Sequence, residues 1–282
     1  MMRKIYIAPL ALVVVLAVVA DTSSANVLVQ TDFNSATVKN YANNELIGGS
    51  TDSDLTARVA SGYTSTQIVS VVDLGGGNHA LQFTDGSTDA NGPKALKTIT
   101  AGDVTTGATG NNHVNIVFDL TLLSLTGTRP TFQFLLNSGT QESSGGTVSA
   151  VQFRVTGAAI VKYNNGTTEI TGPTLTVGTT YRFTATADLS SDTQDTWSLN
   201  VAPVTDLNNP VVNASGLGTR AANVTPGIIV FNGGVDGGTL NTSPYVQLDN
   251  ISISAVPEPA TLGALTLGGI LLSAARRRRR SA

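Results

Sequence analysis

Apolar and polar positions alternate with a period of two along much of this chain. Val114, Ile116, Phe118 and Leu120 share one side of a run. Phe132, Phe134 and Leu136 share one side of the next. Val151, Phe153 and Val155 alternate with Gln152 and Arg154, and Tyr181, Phe183, Ala185 and Ala187 with Arg182 and two threonines. Trp197, Leu199 and Val201 alternate with Ser198 and Asn200. Such runs predict strands of antiparallel sheets with one buried face. Between residues 26 and 255 no stretch keeps a helical period.

Polar and glycine-rich segments punctuate the runs. Asn165-Gly166 divides two strand-like halves and predicts a two-residue hairpin turn, since both residue types accept positive φ. Residues 138–147 separate two strands, and residues 233–244 form a long polar loop before a closing strand. The spacing of turns predicts roughly ten to thirteen strands. The expected fold class is all-β, a two-sheet antiparallel β-sandwich filling residues 26–255 as one domain. Abundant Gly, Thr, Ser, Asn and Val suit that reading and disfavour helices.

The two ends break the pattern. Arg3 and Lys4 precede an apolar run over residues 5–19, followed by Ser23 and Ala25 as small residues before a cut at Asn26. Residues 1–25 are therefore expected to be a secretory signal peptide, with a retained anchor as the alternative. At the other end Pro257, Glu258 and Pro259 precede an apolar segment at 260–275 and then Arg276, Arg277, Arg278, Arg279 and Arg280. Sixteen residues of helix span about 24 Å, a little under the roughly 30 Å of a bilayer core. Snorkelling arginines close that gap and hold their end on the cytoplasmic side. Residues 260–275 are expected to form a short transmembrane helix, with the body exported.

Charge and cysteine count narrow the chemistry. Residues 26–255 carry nine Lys and Arg against 17 Asp and Glu, a net charge of −8, which gives no reason to expect nucleic acid as a partner. The chain has no cysteine, so disulfides, thiolate metal sites and cysteine nucleophiles are excluded. The three glutamates of the body are Glu45, Glu142 and Glu169, the last two in or beside turns, where they read as solvated loop acids. No Gly-x-Ser-x-Gly motif is present, and His79 and His113 stand apart from one another. No enzyme activity is expected. Trp197, on the apolar side of its run, is expected in the core. No resident cofactor is expected either, although Asp85, Asp89 and Asn91 offer calcium the oxygen ligands it prefers on a glycine-bounded loop. Asp188, Asp192 and Asp195 form a weaker set of the same kind.

Two resemblances follow from these residues. The proline–acid–proline knot, apolar segment and arginine run of residues 256–282 resemble the PEP-CTERM sorting signal of Gram-negative bacteria. That resemblance implies an exosortase-type membrane enzyme as a processing partner. It also implies an inner-membrane-anchored precursor destined for the cell surface or the extracellular exopolysaccharide matrix. Within the body, residues 77–86, 180–201 and 246–254 resemble concanavalin-A-like, laminin-G-like jelly rolls, with Asp249, Ile251 and Ile253 on the closing strand. Concanavalin-like glucanases carry a paired-glutamate strand that this chain lacks. The expected role is structural or adhesive in the exopolysaccharide layer. A carbohydrate-binding lectin-like module is the alternative, and a polysaccharide hydrolase a second one.

Overall fold

Strand formation follows the alternation directly. Over Thr180–Asp188 every second side chain, from Tyr181 to Ala187, is buried, and the residues between face outward. The computed structural model describes residues 25–48, 55–59, 67–86, 92–106, 110–125, 130–142, 148–191, 194–220, 224–234 and 244–257. The expected signal peptide, the transmembrane helix at 260–275 and the arginine run lie outside them. All regular structure among the described residues is β, and no helix there is long and apolar enough to cross a membrane.

Among the described residues sixteen strands form two antiparallel sheets. The larger sheet is built from β1 (Asn26–Thr31), β2 (Lys39–Tyr41), β4 (Gln67–Gly75), β5 (Asn78–Asp85), β7 (His113–Leu122), β12 (Thr180–Asp188), β13 (Thr196–Pro203), β14 (Val212–Gly218) and β16 (Val246–Val256). Its order is β14-β13-β12-β7-β16-β5-β4-β2, with β1 also on β16. The smaller sheet is built from β3 (Thr56–Arg58), β6 (Lys94–Thr98), β8 (Pro130–Ser138), β9 (Ser149–Thr156), β10 (Ile160–Asn165), β11 (Thr168–Thr174) and β15 (Pro226–Gly233). Its order is β11-β10-β9-β8-β15-β6-β3. The strand count exceeds the sequence expectation in part because β2 and β3 have three residues each, too few to display a period, and because the glycines of β14 interrupt its alternation.

Phenylalanine fills the space between the sheets. All eight in the chain are fully buried. Phe118 of β7 meets five other rings at centroid distances of 5.4 to 6.0 Å: its in-register neighbour Phe183, and Phe132, Phe134, Phe153 and Phe231 of the smaller sheet. Burying each such side chain contributes about 1.5–3 kcal/mol, with a further gain from ring–ring geometry. Trp197 is buried and stacks on Phe153 at 6.3 Å, as its place on the apolar side of β13 predicts.

Two local features depart from expectation or shape the site. The β10–β11 turn is Gly166-Thr167, not Asn165-Gly166, because Asn165 remains in the strand opposite Thr168. Asn165 is held there by the other sheet: its Oδ1 accepts the Gly218 N–H at 2.8 Å, and the Gly166 N–H donates to the Gly218 carbonyl at 2.7 Å. Glycine then supplies the positive φ, 60°, at the first loop position, as a tight hairpin with this hand of twist requires. In β16, a bulge at Asp249 and Asn250, where Asn250 has φ 50°, divides the strand. Before it the strand pairs with β5, and after it with β1, while β7 lies along its other side throughout.

Candidate functional site

The outer face of the smaller sheet carries a row of long polar side chains in register. In β3, Ala57 points to the core, so Arg58 points out. Arg58 pairs with Lys94, Lys94 with Asn232, Asn232 with Gln133, Gln133 with Arg154, and Arg154 with Lys162. Six adjacent strands thus contribute one outward side chain each. At about 4.8 Å per strand the row is roughly 24 Å long. A second row beside it runs Leu96, Val230, Leu135 and Gln152. Its leucines and valine form, with Ile228, a small apolar cluster separate from the main core.

Each end of the polar row is a carboxylate between two cations. Glu142, on the segment following β8, accepts Arg58 Nη2 at 2.6 Å and lies 3.6 Å from Lys94 Nζ. Glu169 of β11 accepts Arg154 Nη2 at 2.8 Å and Lys162 Nζ at 3.1 Å. Neither is the freely solvated loop acid that the sequence suggested, since each folds back onto cations of neighbouring strands. Burial pushes the Lys94 ammonium down, and Glu142 offsets this only in part. Burial also pushes the Glu169 carboxyl up, but the hydrogen bonds from Arg154 and Lys162 outweigh it and hold it below the usual range.

Between these triads lie two amides. Gln133 and Asn232 are 2% and 3% exposed, and Gln133 Oε1 and Asn232 Oδ1 accept no hydrogen bond. Buried acceptors without donors are rare because each forfeits its hydration. A cleft of about 210 Å³ opens beside Arg58, Leu96, Thr140 and Glu142. Arg220 joins the same face, donating to Gln152 Oε1 at 2.9 Å. Five of the nine Lys and Arg in residues 26–255 therefore stand on one sheet face of an otherwise acidic body.

The outer face of the larger sheet differs in kind. It holds a cleft of about 540 Å³ lined by residues including Leu74, Asn78, Asp119, Thr121, Asp249 and Asn250. Asp119 is buried and accepts Arg182 Nε and Nη2, both at 2.8 Å, and Asn250 Nδ2 at 2.9 Å. Neighbouring polar side chains pair with one another, Thr121 with Thr180 and Gln247 with Gln82. Burial pushes the Asp249 carboxyl up, and the Asp119 charge adds to that effect against the opposing Asn250 backbone bond.

Of the residues singled out from sequence, Pro257 immediately follows β16, while Glu258, Pro259 and Arg276–280 lie outside the described residues. Asp85 closes β5 and is 6% exposed, with its carbonyl accepting the Tyr245 hydroxyl at 2.5 Å. Asp89 and Asn91, its partners in the calcium reading, lie outside the described residues. Asp188 caps Ser190, Asp195 is fully buried, and Asp192 is also outside. The polar row itself was missed. Arg154 and Gln152 were legible as outward residues of a strand, but nothing in the sequence aligns them with Arg58, Lys94 or Asn232.

Residues 255–280 match the PEP-CTERM protein-sorting motif, so this is an exported protein sorted through its C-terminus. No curated protein matches the chain. Solved structures with a similar fold include a sialidase, at 15% identity and a TM-score of 0.47, over 80% of this chain and 19% of that one. They include an alginate lyase in complex with alginate tetrasaccharide, at 14% identity and a TM-score of 0.47, over 82% of this chain and 98% of that one. Arcelin-5, a lectin-like defense protein from Phaseolus vulgaris, is similar at 12% identity and a TM-score of 0.46, over 79% of this chain and all of its own. The present chain thus spans about a fifth of the sialidase. At these identities the likeness is one of fold.

Proposed function

We propose that this chain is a non-enzymatic cell-surface or matrix protein whose β-sandwich body adheres to exopolysaccharide. In this reading residues 1–25 direct export, and residues 26–255 are the working domain. Residues 256–282 hold a precursor in the inner membrane until an exosortase-type enzyme acts at Pro257, Glu258 and Pro259. The observation that carries the adhesive part is the pair of partly exposed cation groups at the two ends of the row, Arg58 beside Glu142 and Arg154 with Lys162 beside Glu169. A polysaccharide reaching both ends of the row would meet partly exposed cationic donors at each, Arg58 at one end and Arg154 and Lys162 at the other, while Lys94, Asn232 and Gln133 between them are buried. The absence of catalysis is supported by the commitments of the acids. Glu142 and Glu169 are held by cations at opposite ends of the row, and both oxygens of Asp119 are occupied.

The cleft of about 540 Å³ on the larger sheet favours a second reading, a lectin-like module that takes a short saccharide against Asn78, Asn250 and Leu74. Affinity electrophoresis of the full chain through gels containing the host's exopolysaccharide tests the first reading. Retardation by the polymer that free monosaccharides do not reverse is expected. Mobility unchanged in every polymer tried would overturn adhesion, and reversal by a monosaccharide would favour the lectin.

A further inference from the structure

We infer that the cleft on the outer face of the larger sheet is built for an amino sugar, a saccharide whose ammonium group is received at Asp249. This rests on the lectin-like reading of that cleft and adds the chemical class of the ligand.

The shape of the cleft is the first argument. It crosses β5, β16, β7 and β12 through Asn78, Asp249, Thr121 and Thr180. Three strand spacings make it about 14 Å long, enough for a short oligosaccharide. Leu74 and Val204, 47% and 36% exposed, stand at its edges, and amides, hydroxyls and carboxyls line the rest. An amphipathic ring fits such a site, with its C–H face on the apolar side chains and its polar groups toward the others. The bulge in β16 supplies the centre. Strict alternation would turn Asn250 inward after Asp249. Instead both line the cleft, and Asn250 takes its positive φ in doing so.

Charge is the second argument. Asp119 holds Arg182 on both oxygens, and Arg182 comes from β12, on the side away from β16. Asp249 has no such partner. Its donors are the Asn250 backbone N–H and the Asn78 side chain, both neutral. Burial disfavours its ionised form, the charges of Asp119 and Asp32 act in the same direction, and no cation among the described residues opposes them. A half-buried carboxylate of this kind, in a cleft of an acidic body, draws a positive group. Among the described residues no three acids or histidines converge as a metal ion would need, which favours a cation carried on a larger molecule. A ring ammonium would meet Asp249 in a charge-assisted bond, with the neighbouring hydroxyls toward Asn78, Asn250 and Thr121.

The test uses the full chain, purified in detergent, and two trimers of one backbone: the β-1,4 trimer of glucosamine and its N-acetylated form. At a pH where the amines and Asp249 are both charged, calorimetric titration should show the amine trimer binding about tenfold more tightly, with the preference falling as salt rises. Asp249→Asn should erase the preference, bringing the two trimers within about twofold. Burial of the Asp249 charge opposes folding at neutral pH, so its removal does not threaten the fold. Leu74→Gln, at an exposed position, should weaken both trimers about threefold, and no effect on either would overturn the placement in this cleft. Equal binding of the two trimers, or a preference that survives Asp249→Asn, would overturn the amino-sugar assignment and leave the lectin-like reading standing. Displacement of the amine trimer by free lysine as readily as by glucosamine would overturn the sugar and leave the cation. Binding of neither trimer nor of fragments of the host exopolysaccharide would overturn both readings.

Discussion

Asp249 and Asp119 face each other across the β16–β7 pairing, and their surroundings differ sharply. Asp119 holds Arg182 on both oxygens, whereas Asp249 accepts the backbone N–H of Asn250 at 2.7 Å. Burial raises the folded-state pKa of Asp249 above its unfolded value. A raised carboxyl gives stability that is present below the unfolded pKa and lost as pH rises through the folded one. Asp249→Asn should therefore raise the Tm at neutral pH, with the gain disappearing at pH values below the ordinary carboxylate range. Thermal melts of both proteins across that range check it, and a neutral-pH Tm no higher than wild type would remove the strain from the account.

Arg182→Gln should destabilise by about 2–3 kcal/mol, because it leaves the buried Asp119 carboxylate short of charged donors. The double variant Asp119→Asn with Arg182→Gln should recover part of that loss. Urea unfolding of the two singles and the double gives the coupling directly, and additive losses would mean the pair does not act as a unit.

Phe118→Ala should cost about 3–5 kcal/mol, the range for removing a well-packed buried aromatic side chain. Phe118 is the ring shared by both sheets, so the loss should exceed that of Leu189→Ala, at a buried site outside the ring cluster. Equal losses in chemical denaturation would show that the ring cluster adds nothing beyond burial.

Changing Pro257, Glu258 and Pro259 together to alanine should leave membrane insertion intact and prevent release, so that full-length protein accumulates in the membrane fraction. Deleting Arg276–280 should instead weaken anchoring, since each arginine carried to the middle of the bilayer costs about 2.5–3.5 kcal/mol. Fractionation of the native host, with molecular mass followed by blot, separates the two. Normal release of the triple-alanine protein would mean that the motif is not what the processing enzyme reads.

Where a run was long and one of its faces was buried, its strand was legible in the sequence. The alternations at Val114–Leu120 and Tyr181–Ala187 became β7 and β12 in direct register, Phe183 opposite Phe118. Short strands and strands broken by glycine, such as β14 with Gly216 and Gly218, carry too little alternation to be read. The turn at Asn165 was misplaced by one residue because its decisive contact is with Gly218 on the other sheet. The sorting motif was fully legible because it is local. The polar row was not, since strand order, β3-β6-β15-β8-β9-β10, is set by core packing and joins segments far apart in the chain. Glu142 and Glu169 each look unremarkable beside a turn, and their roles appear only when that order brings the cations to them.

The place of β16 has a consequence for the timing of export. It is the last strand, yet it lies inside the larger sheet, bonded on one side to β7 and on the other to β5 and then β1. A chain that crosses the membrane N-terminus first delivers β1, β5 and β7 well before the strand they all require. Until residues 246–256 arrive, those edges stand open to any passing chain. Residue 257, the first of the Pro257-Glu258-Pro259 triplet, comes next. The body thus finishes folding as its own sorting signal comes into position, and a copy arrested upstream has neither a closed sheet nor a sorting signal.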